Sequence, residues 1–350
     1  MVSTNKKTCH GTRLFFYGTI IFFYYLCKTK ATFFSRTAEK TQIGALQLKQ
    51  KVMTRTNPQY NNTGFLLKPL LTILFAITAQ HCLAITPDEI KFRNETSDTA
   101  CITQLLIEEC SQRDAGNVSR IARKFIGKPY AGGTLEGDSI ETLRINLDEF
   151  DCTTFVETVL ALAYTAAENR QSWRDYAYNL RRLRYRNGET DGYPSRLHYV
   201  SEWILDNAAR GNLKDVTGDI KGARYNVKSL DYMTAHRDSY PALTDSTNFA
   251  RMKNVESGFS NHRFPYLKGT SLKDRSLAAD VRDGDIVCFT TSTKGLDVTH
   301  MAIITLIDGS ARMIHASSKA GKVILDPLTI TEYVKRNRNE GIRIVRLRKD

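Results

Sequence analysis

The sequence predicts an α+β domain in which helices come first and an antiparallel sheet follows, and three observations carry that prediction. Apolar residues keep helical spacing up to about residue 167 and fall into short strand-like runs after residue 285. The later runs follow one another with little helix between them, the pattern of an α+β rather than a doubly wound fold. No glycine-rich phosphate loop follows a strand at the spacing a nucleotide site needs.

Taken in order, the spacing predicts a helix over 97–110 with Ser97 as its cap, and a second over 118–126. A turn-rich link, Gly127-Lys128-Pro129-Tyr130-Ala131-Gly132-Gly133, leads to the longest helix, Cys152 to Ala167. Asp151 is its expected cap, and Phe155, Val159, Leu162 and Ala163 form its inward stripe. Residues 170–270 read as an irregular elaboration on the substrate side. It has short helices at 199–209, containing Trp203, and at 229–236, and a surface loop over 181–193. Strands are predicted at 285–289, 300–307, 312–316, 322–325 and 342–347, with a short helix at 333–336. Asp308-Gly309 is a hairpin turn, so the strand that begins at His300 should return as the one bearing His315.

The front of the chain reads differently. Residues 13–27 and 65–79 are apolar stretches, and the second has the form of a secretory signal. Arg55 and Lys68 supply its basic start, and Cys82-Leu83-Ala84 its cleavage site before Ile85. Met53 is then the expected start. Residues 1–52 become an upstream extension or non-native start, 53–84 the signal peptide, and 85–350 the catalytic domain. The apolar stretch at 15–26 falls short of the roughly 20 residues a membrane span needs. Gln80 and His81 stand where a lipoprotein would carry small residues before Cys82. An anchor and a lipoprotein are accordingly the lesser readings.

Removing the leader changes the charge argument. The whole chain is +13, but residues 1–84 hold 11 Lys or Arg and one acid, leaving 39 basic and 36 acidic groups, or +3. That balance gives no case for nucleic acid as a partner. The remaining basic run, Arg181 to Arg186, reads as a solvated face or a contact for an anionic polymer.

Four cysteines remain, at 101, 110, 152 and 288, too few for a disulfide-stapled scaffold of about 266 residues. Cys101 and Cys110 lie nine apart on one predicted helix and face nearly opposite ways. Cys288 falls in an apolar strand, where an inert thiol is expected. Cys152 is different, because it opens a helix behind a capping aspartate, and a helix N-terminus favours the thiolate. A cysteine hydrolase also needs an imidazole to take the thiol proton and a polar group to hold that imidazole. His300 and His315 can supply both. His300 lies 148 residues after the cysteine, an interval that resembles papain-type enzymes although papain's local signatures are absent.

Several motifs make the resemblance specific. They are Gly127-Lys128-Pro129-Tyr130, Gly132-Gly133-Thr134-Leu135-Glu136, Asp151-Cys152-Thr153-Thr154-Phe155-Val156-Glu157, Gly284-Asp285-Ile286-Val287, Gly295-Leu296-Asp297-Val298-Thr299-His300 and His315-Ala316-Ser317-Ser318. Over about residues 100–348 the chain resembles the NlpC/P60 superfamily of cell-wall hydrolases, and within it the DUF1460, N-acetylmuramoyl-L-alanine amidase-like branch. The resemblance implies a papain-like fold, with Cys152 as nucleophile, His300 as general base and His315 as the orienting third member. It implies further that Tyr130 lies near the nucleophile and touches substrate or oxyanion. The implied reaction is hydrolysis of the N-acetylmuramoyl-L-alanine amide through a thiol acyl-enzyme, with no metal and no cofactor. Peptidoglycan or released muropeptides are the implied partners, with no obligate protein partner. Export to the bacterial envelope, in the periplasm, fits that substrate.

Each residue also has a plainer reading. Cys152 can be a buried helical thiol, and the histidines a satisfied pair on neighbouring strands. Asp297 offers another orienting acid or a turn support, and Asp285 shapes a turn at a strand entrance. Glu136 and Arg144 are candidates for a polar substrate group, with solvated side chains as the competing reading. His262, in a polar stretch, is a candidate for the cleft or an exposed loop residue, while His198 and His236 have only their residue type in their favour. At the level of function, the alternatives are a stem-peptide endopeptidase cutting between D-glutamate and a diamino acid, and a noncatalytic wall-binding protein. A zinc site built from Cys152, His300 and His315 lacks any recognised ligand spacing.

Overall fold

The computed structural model describes residues 90–138 and 140–348. The expected upstream extension and signal peptide lie outside the described residues. Strand β1 (Ile90–Phe92) leads into helix α1 (Glu95–Cys110) and the short α2 (Val118–Arg123). Asn94 rather than Ser97 caps α1, its side chain accepting the Ser97 amide at 3.1 Å. Strand β2 (Leu143–Ile145) pairs in parallel with β1 and precedes α3 (Cys152–Ala167), whose bounds are those predicted.

Reciprocal bonds explain why α3 starts where it does. Asp151 accepts the Thr154 amide at 2.7 Å, and Thr154 Oγ1 accepts the Asp151 amide at 3.0 Å. The predicted inward stripe is buried, but so is most of the helix. It is covered by α1, α2 and α4 (Trp173–Arg184) on one side and by the sheet on the other.

The chain continues through α5 (Val200–Ala209), β3 (Leu213–Asp215), β4 (Arg224–Lys228), α6 (Tyr232–Ala235), α7 (Ser246–Ser257), β5 (His262–Lys268) and α8 (Asp274–Asp280). Strands β6 (Ile286–Thr290), β7 (Val298–Ile307), β8 (Ser310–Ser317) and β9 (Lys322–Leu325) follow, then α9 (Ile330–Asn337) and β10 (Gly341–Leu347). The sheet runs β4-β5-β10-β6-β7-β8-β9, with β3 also on β10, and every pairing in it is antiparallel. The fold is thus α+β, with leading helices and a central antiparallel sheet.

Period-two alternation assigns the two faces of the sheet. Ile286, Cys288, Met301, Ile303, Ile314 and Ala316 join the helical layer. Val287, Phe289, Ala302, Ile304 and Met313 pack with Leu277 of α8 and with Ile330 and Val334 of α9. Burial on both faces requires these strands to be apolar throughout, as they are. At the Asp308-Gly309 turn both residues have positive φ, and Ile307 pairs directly with Ser310, giving the predicted two-residue hairpin.

The middle of the chain differs from expectation. Helix α4 covers the start of the supposed 181–193 loop, and α7, β4 and β5 add regular structure to a stretch read as irregular. Nor is the basic run simply a solvated face. Arg184 is buried, with its Nε 2.6 Å from Glu157 of α3 and its Nη1 donating to the Arg144 carbonyl at 2.7 Å. Tyr185 and Trp203, from the predicted loop and helix of this stretch, belong to the core. Among the described residues no helix is long and apolar enough to cross a membrane.

The buried Glu157 and Arg184 pair ties α3 to α4. Replacing Glu157 with Ala strands a buried guanidinium, and urea denaturation should show a loss of about 3–5 kcal/mol. A loss below about 1 kcal/mol, the range of exposed pairs, would contradict this assignment.

Candidate active site

Cys152 is held in place by backbone. The link from Gly127 to Ala131 lies between strand β9 and the residue that precedes the α3 cap. On one side the Gly127 amide donates to Val323 at 2.9 Å, Val323 donates back to Lys128 at 2.8 Å, and Tyr130 donates to Gly321 at 2.9 Å. On the other side Phe150 donates to Pro129 and Ala131 to Phe150, each at 3.0 Å. The start of α3 is thereby fastened to the edge of the sheet, and Tyr130 is brought beside Cys152. Burial raises the Tyr130 phenol above its ordinary pKa, with smaller contributions from neighbouring Cys152 and Asp151. The Met301 amide, next in the chain to His300, stands near enough to the Cys152 sulfur to draw its pKa down.

The histidines meet through strand register. Ile303 pairs with Ile314, so His300 and His315 are diagonal neighbours on one sheet face. His300 Nε2 lies 2.7 Å from His315 Nδ1, and His315 Nε2 lies 3.1 Å from Asp326 Oδ2. Phe289 and Tyr333 stack on the His300 ring at 5.8 and 6.1 Å between centroids.

This line of groups fixes both tautomers. The Asp326 carboxylate only accepts, so His315 carries its proton on Nε2 and presents a bare Nδ1. His300 must then donate from Nε2, which leaves His300 Nδ1 as the free base. Burial keeps both rings neutral. It pushes His300 down to about 3, with His315 adding to the effect, and lowers His315 against the opposing pull of Asp326.

The thiol departs from the expectation for a helix start. Burial, with a smaller contribution from Asp151, pushes Cys152 up to about 11, against the pull of the Met301 amide, Thr153 and its own amide. A rise from 9 to about 11 corresponds to roughly 3 kcal/mol, more than the roughly 0.3–1 kcal/mol a helix terminus typically supplies. Desolvation therefore outweighs the helix. At rest the thiol and both imidazoles are thus neutral.

The other candidates are dispersed. Glu136 and Arg144 line a cavity of about 540 Å³ with Tyr193 and Asn248, which His300 does not share. There Glu136 pairs with Arg196 at 2.7 Å, and Arg144 with Asp138 at 2.5 Å. His262 opens strand β5 rather than a polar loop, half-buried between Phe259 and Phe264, and it lines neither this cavity nor the one at His300. Asp297 does not orient His300. It accepts the amides of Ser201 and Val298 at 2.5 and 2.9 Å. Asp285 accepts the Arg282 amide at 2.8 Å and so shapes the turn, as expected. All four described cysteines are free thiols. Asp326 was missed. Its signal was register, because Ile324 pairs with His315 and Asp326 follows two residues later.

A sequence model of the N-acetylmuramoyl-L-alanine amidase-like (AmiA-like) family matches residues 120–342. Among solved structures, an N-acetylmuramoyl-L-alanine amidase from Bacteroides uniformis is 38% identical, with a TM-score of 0.64 over 68% of this chain and 100% of that one. A Bacteroides fragilis protein put forward as a xylanase is 41% identical, with a TM-score of 0.62 over 65% of this chain and 100% of that one. A Legionella pneumophila protein of the DUF1460 family, 24% identical, shares the fold with a TM-score of 0.58 over 72% of this chain and 95% of its own. No curated protein matches the chain.

Because the thiol is raised to about 11 and the thiolate is the reactive form, alkylation of Cys152 in the free protein should keep accelerating as pH rises past 9. Iodoacetamide labelling followed by peptide mass analysis measures this. A rate already on its plateau below pH 7 would mean that a preformed thiolate–imidazolium pair is present instead.

Proposed function

Given that the chain belongs to the N-acetylmuramoyl-L-alanine amidase-like branch of the NlpC/P60 superfamily, we propose that it hydrolyses the amide between the muramoyl lactyl group and L-alanine through a Cys152 thioester. The observation that carries this reading is the line from Asp326 through His315 to His300, in a fold that holds Cys152 against the Met301 amide.

In the proposed reaction Cys152 Sγ attacks the lactyl carbonyl carbon as its proton passes to His300 Nδ1. The oxyanion takes the Cys152 backbone amide and the Tyr130 hydroxyl as donors. When the tetrahedral intermediate collapses, the C–N bond breaks and His300 returns the proton to the L-alanine amine. Water then attacks the thioester, with His300 again taking a proton, and releases the lactyl carboxylate and the thiol. His315 holds the His300 ring through both steps, and the charge that develops on the pair faces Asp326.

The site does not suit glycoside cleavage, which needs two carboxyl groups flanking the scissile bond. Asp326 is held by His315 and by the Leu328 amide at 2.9 Å. The substrate class, peptidoglycan or released muropeptides, rests on the family. Action in the envelope rests on that and on the leader read from sequence, with 85–350 as the catalytic domain.

Mass analysis of products from MurNAc-tripeptide tests the bond. The protein should release MurNAc and intact tripeptide, while the Cys152→Ala variant should release neither. Cleavage between D-glutamate and the third residue would replace the amidase reading with an endopeptidase.

A further inference from the structure

His300 and His315 form one wall of a cavity of about 600 Å³, a size typical of small-ligand pockets. Asp326, Tyr333, Lys319 and Arg336 also line it. Its charges are unevenly satisfied. Asp326 is the only acid in the lining and is bonded to His315 and the Leu328 amide. Lys319, in the turn between β8 and β9, and Arg336, in the last turn of α9, have no acid or hydrogen-bond partner among the described residues. The cavity therefore has two free cations and an acid that is already engaged, which suits an anion.

Resting on the amidase reading, we infer that this cavity receives the leaving stem peptide and that Lys319 and Arg336 bind the α-carboxylate of its D-glutamate. The orientation follows from the reaction. His300 must give its proton to the departing amine, so the space it lines lies on the leaving-group side. In the substrate the lactyl carboxyl is tied up in the scissile amide and the rest of the sugar is uncharged. The peptide carries the carboxylates, and that of D-glutamate is the first one met beyond L-alanine. A planar guanidinium and an ammonium are suited to a carboxylate.

Arg336 also stands where any cation would favour the C-terminus of α9, and Lys335 shares that turn without lining the cavity. Lys335→Ala is therefore the control. The test is calorimetric titration of the full chain carrying Cys152→Ala with L-Ala-γ-D-Glu-L-Lys and with the same tripeptide amidated at the D-glutamate α-carboxyl. The unamidated tripeptide should bind. Amidation, Arg336→Ala or Lys319→Ala should each weaken it roughly tenfold or more, and Lys335→Ala should not. Equal affinity for the two tripeptides, no measurable binding of either, or an equal effect of Arg336→Ala and Lys335→Ala would overturn the assignment. Charge-dependent binding in a protein that does not cut MurNAc-tripeptide would retain the subsite while overturning the amidase reading.

Discussion

The backbone ladder between residues 127–131, strand β9 and Phe150 is the constraint on which the site depends. Without it, side-chain packing would carry most of the contact between the start of α3 and the sheet. That packing is extensive, but apolar contact is non-directional and tolerates sliding, whereas a backbone hydrogen bond fixes register. The ladder sets Cys152 at a defined height beside the strands that carry the histidines. It also makes the turn-rich link part of the site, with Tyr130 emerging from it beside the thiol.

Around that frame the polar groups are arranged by burial rather than by exposed charge. The same desolvation that raises Cys152 lowers His300, so both are neutral at rest. The sheet supplies direction. Strand β7 offers His300, β8 offers His315, and the end of β9 leads to Asp326, so three adjacent strands place an imidazole, a second imidazole and a carboxylate in one line.

Much of this was legible in sequence where local chemistry decided the outcome. Asp151 marks the start of α3, and Asp308-Gly309 places the two histidine strands side by side. What was missed depends on partners far along the chain. Arg181 to Arg186 looks like surface until Arg184 meets Glu157 in the core. Asp326 looks like a turn residue before Pro327 until β9 pairs with β8. The helix start that favours a thiolate can be read in sequence, whereas the packing that dries Cys152 and raises its thiol cannot.

The central claim of the proposed mechanism is that Asp326, acting through His315, leaves His300 Nδ1 bare to accept the proton of Cys152. Nitrogen-15 NMR of the histidine rings near pH 7 tests it most directly. The account predicts both His300 and His315 as neutral Nε2–H tautomers, whereas a proton on His300 Nδ1 would contradict it.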